Sequence, residues 1–142
     1  MPDYEVLLKE TSRKLSKALE HLDYSYNKIS NLPDQLSDMD DEIMETWESY
    51  SSRFARVSDI FVTQFLRTKI ALEEPGFKGT TRDYLNKAEK LGLITDANEW
   101  AMIRELRNAA AHEYNDEDLT AFYQKLKSLC PTLLSIKSVI GS

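Results

Sequence analysis

One short stretch near residue 110 gathers residue types that phosphodiester chemistry uses: Arg107-Asn108-Ala109-Ala110-Ala111-His112-Glu113-Tyr114, with Arg104 one turn ahead. Histidine titrates near neutrality and can pass a proton to or from a ribose 2′-hydroxyl or a leaving 5′-oxygen. Arginine carries a planar fork of donors that matches phosphate oxygens and stays charged throughout. Asn108 can orient the substrate or the imidazole. The run Ala109-Ala110-Ala111 leaves little bulk around these groups, so a nucleotide or another chain can approach closely. When RNA supplies its own nucleophile, the adjacent 2′-hydroxyl, such a site needs no metal. The sequence holds no HExxH, CxxC or other credible ligand spacing, so neither a metal nor a cofactor is expected.

Helical geometry constrains how these groups can cooperate. At roughly 100° per residue, Arg104, Asn108 and His112 form a polar stripe at i, i+4 and i+8. Arg107 lies on the border between that stripe and an apolar face made by Trp100, Ile103, Leu106 and Ala110. Tyr114 falls near Arg107, with its ring packed and its hydroxyl reachable. Arg107 and His112 point roughly 140° apart on a straight helix, by the same step. Either the helix ends near His112, or two copies of the segment meet across a twofold axis and form a composite site. A homodimer follows from the second arrangement.

The elements that must position this segment are all helical in pattern. Tyr4, Leu7, Leu8, Leu15, Ala18, Leu19, Leu22, Tyr26 and Ile29 recur at three- and four-residue steps, predicting a helix from about Tyr4 to Ser30, ended by Pro33. A second long helix opens after Ser37 or Asp38 and reaches about Leu72, with Ile43, Trp47, Tyr50, Phe54, Val57, Phe61, Phe65 and Leu72 inward. Its acids cluster in the first turns, where the helix dipole favours them. Residues 74–79 are a break. Thr80 or Thr81 caps a short helix stopped at Gly92, and Asp96 with Glu99 has the form of a capping box. Asn115 or Asp116 caps a last helix, presenting Leu119, Phe122, Leu126, Leu129, Leu133, Ile136 and Ile140, which Pro131 should kink or break. The fold class is therefore all-α: one domain over residues 1–142, an antiparallel bundle of four to five helices whose first two form a long hairpin.

Composition sets the remaining bounds. A chain of 142 residues can bury one core. No apolar run is long enough to span a bilayer, and the N-terminus carries acids where a signal peptide would carry bases, so a cytoplasmic protein without a membrane partner is expected. The net charge of −6 argues against nucleic acid only at first sight. Residues 31–50 hold seven acids (Asp34, Asp38, Asp40, Asp41, Glu42, Glu45, Glu48) and no base, so the rest of the chain is close to neutral. Affinity resting mainly on phosphate neutralisation would need a larger basic excess. His21 and Cys130 read as structural residues.

The segment Arg107 to Tyr114 resembles the Arg-x4–6-His motif of HEPN domains, and in its fuller form the Arg-x4-His-x-Tyr of HepT-like toxins. The motif-level match covers about residues 100–116. Members of that family are small all-α proteins that dimerise and cleave RNA without metal. Their partners are MNT-type minimal nucleotidyltransferase antitoxins, understood to add AMP to the motif tyrosine. The resemblance implies that Arg107 and His112 are a catalytic pair, Asn108 an accessory polar residue and Tyr114 the modification site. It leads to a metal-independent endoribonuclease acting as the toxin of a toxin–antitoxin pair. Two other readings compete: a non-catalytic HEPN subunit that binds nucleotide and assists a nucleotidyltransferase, and a helical adaptor in which arginine and histidine merely hold the bundle together. Arg104 is equally a surface ion-pair partner or an RNA contact.

Overall fold

The computed structural model describes residues 3–109 and 114–140. Among the described residues there is no strand, and the chain is an all-α helical bundle. Its elements are α1 (Tyr4–Ile29), a short 3-10 turn (Leu36–Asp38), α2 (Asp41–Asp59), a π-helical turn (Ile60–Phe65), α3 (Leu66–Glu73), α4 (Thr81–Lys90), α5 (Ala97–Ala109), α6 (Asp116–Leu134) and α7 (Lys137–Ile140).

The capping chemistry is visible residue by residue. Asp3 accepts from the backbone N–H groups of Glu5 and Val6 to open α1. Asp40 opens α2 by accepting from Ile43 at 2.8 Å, so the acids at 41 and 42 occupy the first turn, as dipole complementarity favours. That start lies two to three residues later than the sequence pattern predicts, because Leu36–Asp38 form a separate turn whose Leu36 N–H is taken up by Thr120 Oγ1. Thr80 and Asp83 make a reciprocal capping box on α4. Gly92, at φ 78°, supplies the left-handed residue that ends that helix. At α5 only the Asp96 half of the expected box forms. Its carboxylate accepts from Asn98, while Glu99 turns its own carboxylate to the Thr132 hydroxyl.

Pairing across the bundle gives the helix directions. Lys14 meets Gln64 and Arg53 meets Ser25, so α1 runs antiparallel to the long α2–α3 rod, the predicted hairpin. Trp100 packs on Phe61 and Arg107 reaches Asp59, so α5 runs antiparallel to α2. Glu99 touches Thr132, which returns α6 alongside α5 in the opposite sense. The four long helices therefore alternate in direction. The core between them is strongly aromatic: Trp47, Tyr50, Phe54, Phe61 and Trp100 are all buried. The Tyr50 hydroxyl donates to the Leu126 carbonyl at 2.8 Å, and Trp47 Nε1 to that of Pro33 at 2.8 Å. Burial pushes the Cys130 thiol up to about 12, which makes it an inert core group.

Three expectations need correction. Tyr4 and Leu7 are exposed: Tyr4 lies at an open cavity it shares with Arg67, Thr68, Ala71 and Leu72 of the partner rod, and the fully buried stripe of α1 begins only at Thr11. The inward stripe of the second rod passes from Phe65 to Leu66 and Ile70, with Leu72 only half-buried. The π turn explains that shift. The Leu66 N–H donates to Phe61, five residues back, and the widened turn advances the register of everything after it. Finally, α6 runs through Pro131, and the interruption comes at Ser135–Ile136, between α6 and α7. Pro131 sits in the last turn of α6, and the turn after it still closes, its carbonyl accepting from the Ser135 N–H, so only the single bond to the Lys127 carbonyl is forgone.

Candidate functional site

The segment singled out by sequence occupies the end of α5 and the entry to α6. His112 lies outside the described residues, as do Ala110, Ala111 and Glu113. The described residues of the motif are Arg104, Arg107, Asn108, Ala109 and Tyr114, and the expected stripe of Arg104, Asn108 and His112 runs beyond them.

Arg104 and Arg107 converge instead on one carboxylate of α2. Arg104 Nη1 donates to Asp59 Oδ1 at 2.8 Å and to Ser58 Oγ at 3.0 Å. Arg107 Nε donates to the same Asp59 Oδ1 at 2.7 Å. The Arg104 side chain is 16% exposed, while those of Arg107 and Asp59 are near 35%. Arg104 is thus the inner, packed member of the pair, and Arg107 the outer one. Asn108 is exposed beside them. The contact uses Nε of Arg107, and its terminal amino groups are not part of it.

The electrostatics of the cluster follow from that geometry. Partial burial pushes the Asp59 carboxyl up, but hydrogen bonds from Arg107 and Arg104, reinforced by their charges, outweigh it and hold the carboxyl below its ordinary value. The same hydrogen bond and charge from Asp59 raise the Arg107 guanidinium above its usual range. Two permanent cations on one ionised acid leave a local charge of +1, so an anion arriving here meets an already assembled pair of guanidinium groups.

Asp59 did not stand out in the sequence by spacing or motif. The signal that could have found it is its setting: a lone charge within Val57-Ser58-Asp59-Ile60-Phe61-Val62, where every other residue is buried. Buried stretches tolerate a carboxylate only when something satisfies it. The π turn begins at the next residue, and Thr63 Oγ1 donates to the Asp59 carbonyl at 2.5 Å. Turns of that kind are rare and recur at functional positions.

Tyr114 sits where the chain enters α6. Its hydroxyl donates to the Ala109 carbonyl at 3.0 Å, and its half-buried ring stacks on Phe122 with centroids 5.3 Å apart. The ring therefore ties the start of α6 to the motif helix. Next to it, α2 and α6 enclose a cavity of about 450 Å³ lined by Glu48, Ser51, Ser52, Ala55, Tyr114, Leu119, Phe122 and Tyr123. It lies on the same side of α2 as Asp59, since residues 48, 52, 55 and 59 follow one another at three- and four-residue steps.

The fold and this cluster define an all-α bundle in which α5 and the entry to α6 bring two arginines and a tyrosine against α2. No family model matches the chain, and no curated protein matches it. None of its described helices is long and apolar enough to cross a membrane.

Proposed function

We propose that this protein is a metal-independent endoribonuclease of HEPN type, acting as the toxin of a toxin–antitoxin pair. The observation that carries the reading is the convergence of Arg104 and Arg107 on Asp59 at the helix that bears the Arg-x4-His-x-Tyr segment. A phosphate bound there takes its contacts from the terminal amino groups of Arg107 and from Asn108, while Asp59 and Arg104 keep the Arg107 fork in place. His112 transfers the proton between the ribose 2′-hydroxyl and the leaving 5′-oxygen, so the products are a 2′,3′-cyclic phosphate and a 5′-hydroxyl. Positive charge held rigidly at the phosphate favours the more highly charged transition state over the ground state.

The rest of the reading concerns partners. Two copies of the chain form a twofold dimer that brings their motifs together, in the cytoplasm. A partner nucleotidyltransferase of the minimal type transfers AMP from ATP to the Tyr114 oxygen, breaking the α–β phosphoanhydride and releasing pyrophosphate and the phenolic proton. For that transfer the Tyr114 hydroxyl must first leave the Ala109 carbonyl, and the adduct then places an anion beside Arg107.

The test is cleavage of RNA by purified protein in EDTA, with His112→Ala as the control for contaminating nuclease. Cleavage that survives EDTA, leaves cyclic phosphate ends and disappears in His112→Ala supports the reading. Cleavage unchanged in His112→Ala, or a magnesium requirement with 5′-phosphate products, overturns it. A second reading is favoured by the Asp59 contacts themselves: the arginines serve to lock α5 onto α2, and the chain is a helical adaptor. Under that reading Arg107→Ala lowers stability, and there is no cleavage to lose.

A further inference from the structure

A second cavity lies away from the arginine cluster, where α3, the loop after it and α4 meet the first turn of α1. It encloses about 560 Å³, within the range of small-molecule pockets, about 300–1,000 Å³. Ala71, Leu72, Pro75 and Phe77 make its walls largely apolar. Arg67 and Lys78 add two cations, and no carboxylate is among the lining residues. Glu74 of the same loop is taken by Lys87 at 2.5 Å. In a chain of net charge −6, this hollow is locally positive. The loop that closes it is fixed by its own contacts. The Tyr84 hydroxyl donates to the Phe77 carbonyl at 3.3 Å, the two rings meet edge to face at 5.0 Å, and the Phe77 N–H donates to the Glu74 carbonyl. The cavity is therefore formed before anything enters it.

Two neighbouring residues of α3 bring unused donors to this cavity. The Arg67 guanidinium lies on the Tyr84 ring, 4.3 Å from its centroid, and among the described residues it makes no ion pair or hydrogen bond. Thr68 is only 5% exposed, yet its hydroxyl has no hydrogen-bond partner among the described residues. Thr46 and Thr63, also on helices, bond instead to the carbonyl four residues back. No buried side-chain oxygen or nitrogen among the described residues is left unsatisfied, so the Thr68 hydroxyl meets solvent, and it does so where Thr68 lines the cavity. We propose that this cavity binds a small monocarboxylate with an apolar body. The Tyr84 ring covers one face of the Arg67 guanidinium and leaves its in-plane donors for a planar acceptor, the geometry of a bidentate carboxylate pair. The Thr68 hydroxyl donates to the same carboxylate, and Lys78 adds positive charge at the exposed rim. Ala71, Leu72 and Pro75 then cover the body of the ligand and remove its apolar surface from water. Arg67 stands about 12 Å further along the rod than Asp59, by the helical rise, and the proposal does not depend on the ribonuclease reading.

The experiment titrates the full chain with 3-phenylpropionate and follows amide NMR shifts at residues 67–78. Three further probes separate the parts of the ligand: 3-phenylpropionamide lacks the charge, acetate lacks the body, and phenyl phosphate exchanges the headgroup. 3-Phenylpropionate should shift these amides in a saturable manner, with the amide and acetate each weaker by about tenfold or more, the worth of a charged hydrogen-bonded contact or of a buried apolar body. Arg67→Gln should weaken 3-phenylpropionate by about tenfold or more, and Thr68→Val, which keeps the side-chain shape, by about fivefold, as one hydrogen bond requires. Lys78→Gln, at an exposed loop position, should weaken it by about twofold to threefold, as a solvent-screened charge does. Circular dichroism checks each variant, and Thr68→Val with Lys78→Gln carries the test if Arg67→Gln does not fold. Absence of any saturable shift overturns the proposal. So does amide binding as tight as the acid, which would make the cavity a merely apolar patch, or acetate binding as tight, which would make it a weak counterion site. Binding of 3-phenylpropionate that all three variants leave intact places the ligand elsewhere and also overturns it. Phenyl phosphate bound about tenfold more tightly than 3-phenylpropionate, a full charged contact better, would assign the headgroup to phosphate and overturn the carboxylate.

Discussion

Two regions of this molecule combine acids and bases, and they do so in opposite ways. At the end of α5, Arg104 and Arg107 share the single carboxylate of Asp59 through short hydrogen bonds, in surroundings that exclude much of the solvent. At the other end of α2, Asp41, Glu42 and Glu45 line a wide cavity with Lys28 and Arg53. There Arg53 donates to the neutral Ser25 hydroxyl at 2.8 Å and to the His21 carbonyl, and Tyr24 stands 65% exposed between the two cations. The acidic end holds more charge and less organisation. Its carboxylates complement the α2 dipole and solvate the surface, a role that requires number but not placement. The α5 end holds few charges, each fixed by another. Placement of that kind is what a phosphate site needs, and charge counting along the chain does not reveal it.

Breaking the organised end should give the largest effect. Arg107→Ala should reduce RNA cleavage by roughly 10²–10³-fold, the cost of removing one preorganised donor from a developing charge. Single-turnover rates on a short RNA, with circular dichroism to confirm helicity, measure it.

Asp59→Ala should come next. It leaves Arg104, packed and mostly covered, without its partner, and should cost about 1–2 kcal/mol in denaturant unfolding after allowing for the exposure of Arg107. The pH dependence has a defined sign. Because the folded Asp59 carboxyl is held below its ordinary value, its contribution is complete above the unfolded value near pH 4 and is lost as pH falls through the lower folded value. The stability gap between wild type and Asp59→Asn should therefore hold steady from neutrality down to about pH 4 and close below it. A gap that widens on acidification would show that Asp59 is not held as an ion.

Tyr114→Phe sharpens the comparison, since it removes one hydrogen bond while keeping the stacked ring. It should cost about 1 kcal/mol, the worth of the hydrogen bond to the Ala109 carbonyl, and it should abolish AMP addition by a cognate nucleotidyltransferase without abolishing cleavage. Intact mass after incubation with partner, ATP and magnesium reads the modification directly. Unmodified Tyr114 in fully inhibited protein would leave simple binding as the means of control.

The smallest effects belong to the acidic end. Glu42→Gln and Glu45→Gln should each change stability by no more than about 0.5 kcal/mol, and should leave the Arg107-dependent rate as it is. A large loss at either position would mean that this surface is organised in a way its hydrogen bonds do not disclose.

Much of this architecture could be read from residue order because it depends on local periodicity. The stripe Leu15, Ala18, Leu19, Leu22 buries itself on α1 for the same reason that it recurs at helical spacing. Asn115 caps α6 and Thr80 caps α4 because short polar side chains reach the first free N–H groups of a helix wherever they occur. The Arg107–Tyr114 segment stood out as residue types at a spacing, and the proposed chemistry rests on that pattern. What residue order could not supply was the company those residues keep. Asp59 lies 48 positions from Arg107 and becomes its partner only when α5 folds antiparallel against α2. The π turn that follows Asp59 depends on how the rod packs, and it moved the inward stripe onto Leu66 and Ile70. The cavity beside Tyr114 likewise exists only where Ser51, Ser52 and Ala55 of one helix come to face the rings of another. Local periodicity and capping are encoded within a few turns of chain, whereas a shared carboxylate and a cavity are properties of surfaces that meet only on folding.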